Sequence, residues 1–375
     1  MAAFACSQND SHTSTVLTWG MIVGWILFIV FAIWAIGFFY LRGKDLSPYD
    51  LPEGQQFSTG DALNEEHHAV HKKLSGMTTN ADGSPASRKV GAIRERMDTM
   101  FAGREFDSTF ISTNADGVPA EWVMAPGIDS RRRVLYIHGG AFMMGSPLSH
   151  RVITTRFSKA ANAAVLAIDY RLMPENKRIA GIQDCRIAYN WILENGPQGS
   201  ETASHLIVAG DSAGGNLTLS TIAWARDQNM RSADAAIALS PATDSTFTSP
   251  SIKDNMASDV MLGPMFKILS KIPHTVLLWV TWFNNRLNPR DPAMSPARGS
   301  LSNLPPTLVH ASNVEILRDD ARRYVNKAVA EGSTAKLQVW NHVVHVWHIF
   351  DPDLTEARQA FDEIEKFIEH YAPSQ

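Results

Sequence analysis

The chain has 375 residues, 45% of them hydrophobic and 19% charged, and a formal net charge of −4. That composition is globular and excludes a disordered, collagen-like or repeat protein; with no basic cluster, it also argues against nucleic acid as a partner. Cys6 and Cys185 are the only cysteines and lie far apart, which leaves no disulfide framework and no Cys-based metal site; Cys185 sits in an apolar helical pattern and reads as a small core residue.

Residues 11 to 41 contain no Asp, Glu, Lys or Arg, and Val16 to Leu41 is almost wholly apolar. A membrane span needs about 20 such residues, so the segment is long enough to cross with some tilt. A cleaved signal peptide would carry a basic n-region and a shorter apolar stretch, yet Met1 to Asp10 has neither Lys nor Arg. A core helix would be amphipathic, and this one is apolar all round. The expectation is a single-pass anchor over residues 16–41, with Trp19, Trp25, Trp34 and Tyr40 as candidate interface residues. Arg42 and Lys44 follow the span while Asp10 precedes it, so the positive-inside rule places the bulk of the chain in the cytoplasm, by a margin that Asp45 narrows.

Ser47 to Gly60, with two prolines and two glycines, reads as a linker. Asp61 to Gly76 predicts a polar helix and Ala92 to Ala102 a second helical piece. His67 and His71 form an i,i+4 pair that a metal would accept, with His68 beside them; no acidic partner motif accompanies them, and a solvated helix face is the preferred reading.

From Glu121 onward apolar runs alternate with helical patterns, the signature of βαβ units and a mostly parallel sheet. Strands are predicted at Arg132–Ile137, Ala163–Tyr170, His205–Gly210, Ala235–Leu239, Thr307–Ala311 and Leu337–Trp340. Helices are predicted at Arg151–Ala160, Gln183–Glu194, Leu217–Arg226, Arg318–Ala330 and Thr355–Tyr371. Between Thr246 and Asn288 the alternation stops, and an apolar run containing Met256, Met261, Met265, Trp279 and Trp282 reads as a helical insertion.

Two stretches carry chemistry. Gly210-Asp211-Ser212-Ala213-Gly214 follows a predicted strand and opens a predicted helix, which is what a G-x-S-x-G nucleophile elbow requires. Glycines tolerate the sharp turn that lifts the serine Oγ above the sheet edge, and the helix N-terminus favours an anion forming there. Upstream, His138-Gly139-Gly140-Ala141-Phe142 ends a strand. Gly139 and Gly140 could aim two N–H groups at one point and, with Ala213, form an oxyanion hole for a tetrahedral acyl intermediate. A serine hydroxyl needs a histidine base and an orienting carboxylate. The histidines after Ser212 are His274, His310, His342, His345, His348 and His370, and the nearby acids are Glu315, Asp319 and Asp320.

The set HGGAF, Tyr170-Arg171-Leu172-Met173-Pro174-Glu175, GDSAGG, Ser240-Pro241-Ala242-Thr243-Asp244 and Ile316-Leu317-Arg318-Asp319-Asp320, in this order, resembles the hormone-sensitive-lipase-like family of α/β-hydrolase esterases. The resemblance covers roughly residue 75 to the C-terminus. It implies an α/β-hydrolase fold, a mostly parallel central sheet with helices on both faces, under a helical cap made from the N-terminal helices and the insertion. Ala141 departs from the family's third glycine, with Gly139 and Gly140 as the implied donors. Val344-His345-Val346-Trp347 matches the family's histidine motif and implies His345 as the base, leaving His342 and His348 as packed or pocket-lining residues. Aligning the acidic motif puts Glu315, 30 residues before His345, in the leading acid position, while Asp319 and Asp320 fall at a helix start where acids suit the dipole.

The combined reading is a membrane-anchored serine hydrolase of short to medium acyl esters. Ser212, Glu315 and His345 form its triad, with no cofactor and no metal. Its expected organisation is a tail and anchor over 1–45, linker and cap helices over 46–115, and a catalytic domain over 116–375 with the cap insertion at 246–288. A small ester or lipid is the expected partner besides the membrane, and a homodimer is left open. The rivals are an amidase or deacetylase, a sterol-ester hydrolase using the same machinery, and a ligand receptor on the same fold.

Overall fold

The computed structural model describes residues 9–60, 62–78, 86–87 and 89–374. The first eight residues of the expected tail, and part of the expected N-terminal cap, lie outside these. Helix α1 runs over Asn9–Ile36 and ends in one π turn, Gly37–Leu41. Over Trp19–Leu41 it is long and apolar enough to cross a membrane.

Among the described residues the main sheet has nine strands: β1 Gln55–Phe57, β2 Thr109–Ala115, β3 Val118–Met124, β4 Asp129–Ile137, β5 Ala163–Ile168, β6 His205–Asp211, β7 Ala235–Leu239, β8 Thr307–Ser312 and β9 Ala335–Trp340. Their spatial order is β1-β9-β8-β7-β6-β4-β5-β3-β2, parallel throughout except for β3 and β2 at one edge. Successive side chains of a strand point to opposite faces, and the core splits accordingly. Val134 and Tyr136 of β4, and Ile207 and Ala209 of β6, face the layer of α4 (Arg151–Ala160) and α11 (Thr355–Tyr371). Leu135, Ile137, Leu206 and Val208 face α5 (Arg178–Glu194), α6 (Ala213–Asp227) and α10 (Arg318–Ala330). Both faces are buried, so the strands read as unbroken apolar runs.

Two stretches differ from the sequence expectation. The linker after the apolar helix contains β1, a polar edge strand whose Phe57 stacks on Trp340 with ring centroids 4.4 Å apart. The sheet also begins before residue 116: β2 and β3 form a hairpin around Asp116 and Gly117, so the expected boundary at 115/116 falls inside it. The N-terminal helices are α2 (Glu65–Thr78) and α3 (Val90–Thr99). The insertion folds as α7 (Ser251–Asp254), α8 (Gly263–Leu269) and α9 (His274–Asn285).

Candidate active site

Strand β6 delivers Ser212 into a turn at φ 52° and ψ −114°, and α6 starts at the next residue. A non-glycine residue there stores strain of order 1–3 kcal/mol. The fold holds it: the Ser212 N–H donates to Leu239 O at 2.7 Å, and its carbonyl accepts from Asn216 N–H at 3.0 Å. Both flanking glycines are sterically required. A Cβ on Gly210 would lie 2.6 Å from Gly214 O, and one on Gly214 1.9 Å from Ile137 O.

The loop after β9 brings His345 over this serine. Its Nε2 lies 2.9 Å from Ser212 Oγ and its Nδ1 2.6 Å from Glu315 Oε2. Glu315 is fully buried, and its other oxygen accepts the Ser312 N–H at 2.8 Å. Burial alone would lower the His345 pKa, but the hydrogen bond and negative charge of Glu315 outweigh it and hold the imidazole above its ordinary value. Asp319 and Asp320 point elsewhere. Asp319 accepts the Ser251 N–H at 2.8 Å, and Asp320 accepts those of Thr243 at 2.8 Å and Asp244 at 2.9 Å. Burial, with Asp244 alongside, pushes the Asp320 carboxyl up to about 7. His342 lines a cavity of about 190 Å³ beside the Glu315–His345 pair. His348 is buried, 3.0 Å from His310 Nδ1, and burial first, then the neighbouring histidines, push it well below its usual value.

One expected oxyanion donor is corrected. The Gly139 N–H donates to Asp211 Oδ1 at 3.0 Å, so it is already committed within the protein. The same oxygen accepts the Tyr136 hydroxyl at 2.5 Å, while His150 Nε2 stands 3.4 Å from Oδ2. Burial works to raise the Asp211 pKa, but His150 and these hydrogen bonds prevail and keep it below the usual range. Beyond Gly139 the chain turns sharply, with Gly140 at φ 108° and Ala141 at φ 54°. Among the described residues the N–H groups of Gly140 and Ala141 have no acceptor. Ala213 is the first residue of α6, where an N–H lies ahead of the helical ladder.

Sequence reasoning also missed a clamp on the acid loop. Asn255 Nδ2 donates to Asn313 O at 2.9 Å and Glu315 O at 2.8 Å, and Asp259 Oδ2 accepts the Ile316 N–H at 3.0 Å. Both residues lie in the cap insertion, where no local pattern marks them. His67 is buried rather than solvated: its Nε2 is 3.4 Å from Glu356 Oε1, and its Nδ1 is 2.7 Å from Asn64 Oδ1. Among the described residues no three His, Cys, Asp or Glu side chains are grouped as a metal would need.

This combination of sheet order, elbow and loop histidine matches known proteins. The pattern of the family described as the alpha/beta hydrolase fold covers residues 134–349. The chain belongs to the α/β-hydrolase family. Within this family it is similar to an acetyl-hydrolase of Streptomyces hygroscopicus, 35% identical over 66% of this chain and 79% of that protein. It is also similar to the carboxylesterase/phospholipase LipF of Mycobacterium tuberculosis, 31% identical over 68% of this chain and 67% of that one. Among solved structures, an esterase of the bacterial hormone-sensitive lipase family superposes with a TM-score of 0.72 at 31% identity, covering 83% of this α/β-hydrolase and 99% of that chain. The resemblance to hormone-sensitive-lipase-like esterases therefore extends from the motifs to the fold of 83% of the chain.

Proposed function

We propose that this α/β-hydrolase is a membrane-anchored carboxylic-ester hydrolase working through a Ser212–His345–Glu315 triad and an acyl-enzyme intermediate. One observation carries the reading: the unbroken line from Ser212 Oγ to His345 Nε2 at 2.9 Å and from His345 Nδ1 to Glu315 Oε2 at 2.6 Å. Ser212 attacks the acyl carbonyl carbon while Nε2 takes its hydroxyl proton, and Glu315 holds the tautomer and stabilises the imidazolium. The tetrahedral oxyanion is received by the N–H groups of Gly140, Ala141 and Ala213, aided by the positive end of α6. Collapse of the intermediate expels the alcohol, which receives the proton from His345. A water, deprotonated by His345, then attacks the acyl carbon and frees the acid and Ser212. Every step is a proton or acyl transfer, so none calls for a cofactor. A receptor would have no use for this hydrogen-bonded line.

Anchoring is supported by how the apolar helix meets the folded body. Leu41 is 1% exposed, and the Lys44 carbonyl accepts from Arg298 at 2.8 Å, so the end of the span is packed into the protein. A segment cleaved off as a signal would also remove Gly37, against which Trp279 packs. Arg42 and Lys44 beside that end favour a cytoplasmic catalytic domain.

A finite capped pocket favours short to medium acyl chains, because each accepted methylene contributes up to about 0.8 kcal/mol only until the pocket is full. The acetyl-hydrolase relative agrees with that reading by its name. The second reading, a bilayer lipid, is favoured by the apolar helix beside the cap. The test is kcat/KM across p-nitrophenyl esters from acetyl to palmitoyl, with an arylamide in parallel and fluorophosphonate labelling read by mass spectrometry. We expect an adduct on Ser212 and a maximum at short or medium length. A profile still climbing at palmitoyl would favour the lipid, and an active preparation without the adduct would overturn the triad.

A further inference from the structure

Helix α9 has no Asp, Glu, Lys or Arg, and of its four exposed residues three are apolar, the fourth being Asn284. Val276, Val280 and Phe283, at i, i+4 and i+7, form one stripe and are 48%, 43% and 52% exposed. Leu278 and Asn285 point inward and are buried. Beside the stripe, the Trp279 indole N–H donates to the carbonyl of Ile33 at 3.0 Å. Gly37 lets that ring approach, since a Cβ there would lie 3.1 Å from Trp279 Nε1. Helix α9 is thus fastened to the side of the apolar N-terminal helix. The contact at Ile33 lies eight residues short of Leu41, the end of the span, which at 1.5 Å per residue is up to about 12 Å along the axis.

That depth has a consequence. If the N-terminal helix crosses a bilayer, a neighbour attached up to about 12 Å below its end lies near the deep limit of the roughly 5–10 Å that interfacial helices bury into the headgroup and acyl boundary. The charges around α9 suit the same place. Residues 260–290 contain Lys267, Lys271, Arg286 and Arg290 and no Asp or Glu. The Arg286 guanidinium sits 5.7 Å from the Phe283 ring centroid, Arg290 lies over Tyr40 at 4.5 Å, and Arg42 over Phe38 at 5.3 Å. Cations resting on aromatic rings at the edge of an apolar face match a helix lying in an anionic lipid interface. Met265 and Ile268 of α8, 45% and 58% exposed, are further exposed apolar side chains of the insertion.

We propose that α9, with the outer side of α8, is a membrane-seating surface that lies in the headgroup region of a bilayer containing anionic phospholipid. It thereby holds the catalytic cap against the lipid, and it rests on the anchoring proposed above. The seated face is Val276, Val280 and Phe283, and its basic rim is Lys267, Lys271, Arg286 and Arg290.

The test uses the full chain with Cys6→Ser, Cys185 being buried, reconstituted in phosphatidylcholine vesicles with or without phosphatidylglycerol. An environment-sensitive fluorophore is placed on Val280→Cys or, as control, on the exposed α11 position Glu365→Cys. We expect the Val280 label to be blue-shifted and quenched by headgroup-proximal spin-labelled lipid, more so with phosphatidylglycerol, and the Glu365 label to behave as in water. Combining Lys267→Gln, Lys271→Gln and Arg286→Gln should abolish the phosphatidylglycerol effect. A water-exposed Val280 label on chains that carbonate cannot strip from the vesicles would overturn the seating while leaving the anchor standing. Equal quenching at both positions would overturn it as well. Stripping of the chain by carbonate would refute the anchor, and the seating with it.

Discussion

Asp211, the residue before Ser212, accepts the backbone N–H of Gly139 at 3.0 Å. One buried carboxylate therefore ties the loop that would stabilise the oxyanion to the elbow that presents Ser212. Gly139 must be glycine for this contact, because a Cβ there would stand 2.1 Å from Asp211 Oδ2.

Asp211→Ala should therefore lower kcat with little change in KM, because a loosened loop misplaces Gly140 and Ala141. The loss should approach, without exceeding, the roughly 10²–10³-fold cost of deleting an oxyanion donor. Asp211→Asn keeps an oxygen acceptor and should be milder. Steady-state kinetics on a short-chain ester decide it, and an unchanged kcat in Asp211→Ala would show that the loop is held by other contacts.

Glu315→Gln should reduce kcat by about 10⁴-fold, the scale of replacing the orienting carboxylate. Asp319→Asn and Asp320→Asn should instead appear in thermal denaturation, with a cost of order 1–3 kcal/mol for poorly met donors. If Asp319→Asn proved the crippling change, the acid would have been misassigned.

The pH profile follows from His345. The base must be neutral to accept the Ser212 proton, and Glu315 holds the imidazole pKa above its ordinary 6.5. Activity should therefore fall as pH drops through a midpoint above 6.5, and Glu315→Gln should move the midpoint of the residual activity downward. The logarithm of kcat/KM against pH gives both midpoints. A wild-type midpoint below that of free histidine would contradict the buried pair.

Gly214→Ala should destabilise the protein by at least the ~1–3 kcal/mol typical of overpacking, because the new Cβ would meet Ile137 O at 1.9 Å. Gly91→Ala, in α3 with open space around it, should instead gain up to about 1 kcal/mol of helix propensity. Differential scanning calorimetry of the two variants makes the comparison.

What the chain alone made legible is local or ordered along the sequence. The elbow could be read because strand, Gly210, Ser212, Gly214 and helix are contiguous, and backbone sterics demand those residue types at that spacing. Glu315 and His345 could be ranked above their neighbours by motif and chain order, and the two side chains lie with Ser212 in one hydrogen-bonded line. The central strands were legible because both sheet faces are buried, leaving runs such as Ile207-Val208-Ala209 without polar interruption.

Tertiary structure decided the rest, wherever a property depends on a partner distant in the chain. Strand β1 is polar and short, and it exists only because the edge of β9 accepts it. His67 carries no mark of burial in its own helix; Glu356, from the other end of the chain, supplies the wall it packs against. Which backbone N–H groups of the loop after β4 are engaged within the protein was likewise decided by the fold. Asp211, 72 residues away, claims the Gly139 N–H and leaves those of Gly140 and Ala141 without an acceptor. A dihedral angle and a carboxylate at the end of the neighbouring strand set the direction of these N–H groups, and neither is written in the pattern His-Gly-Gly-Ala.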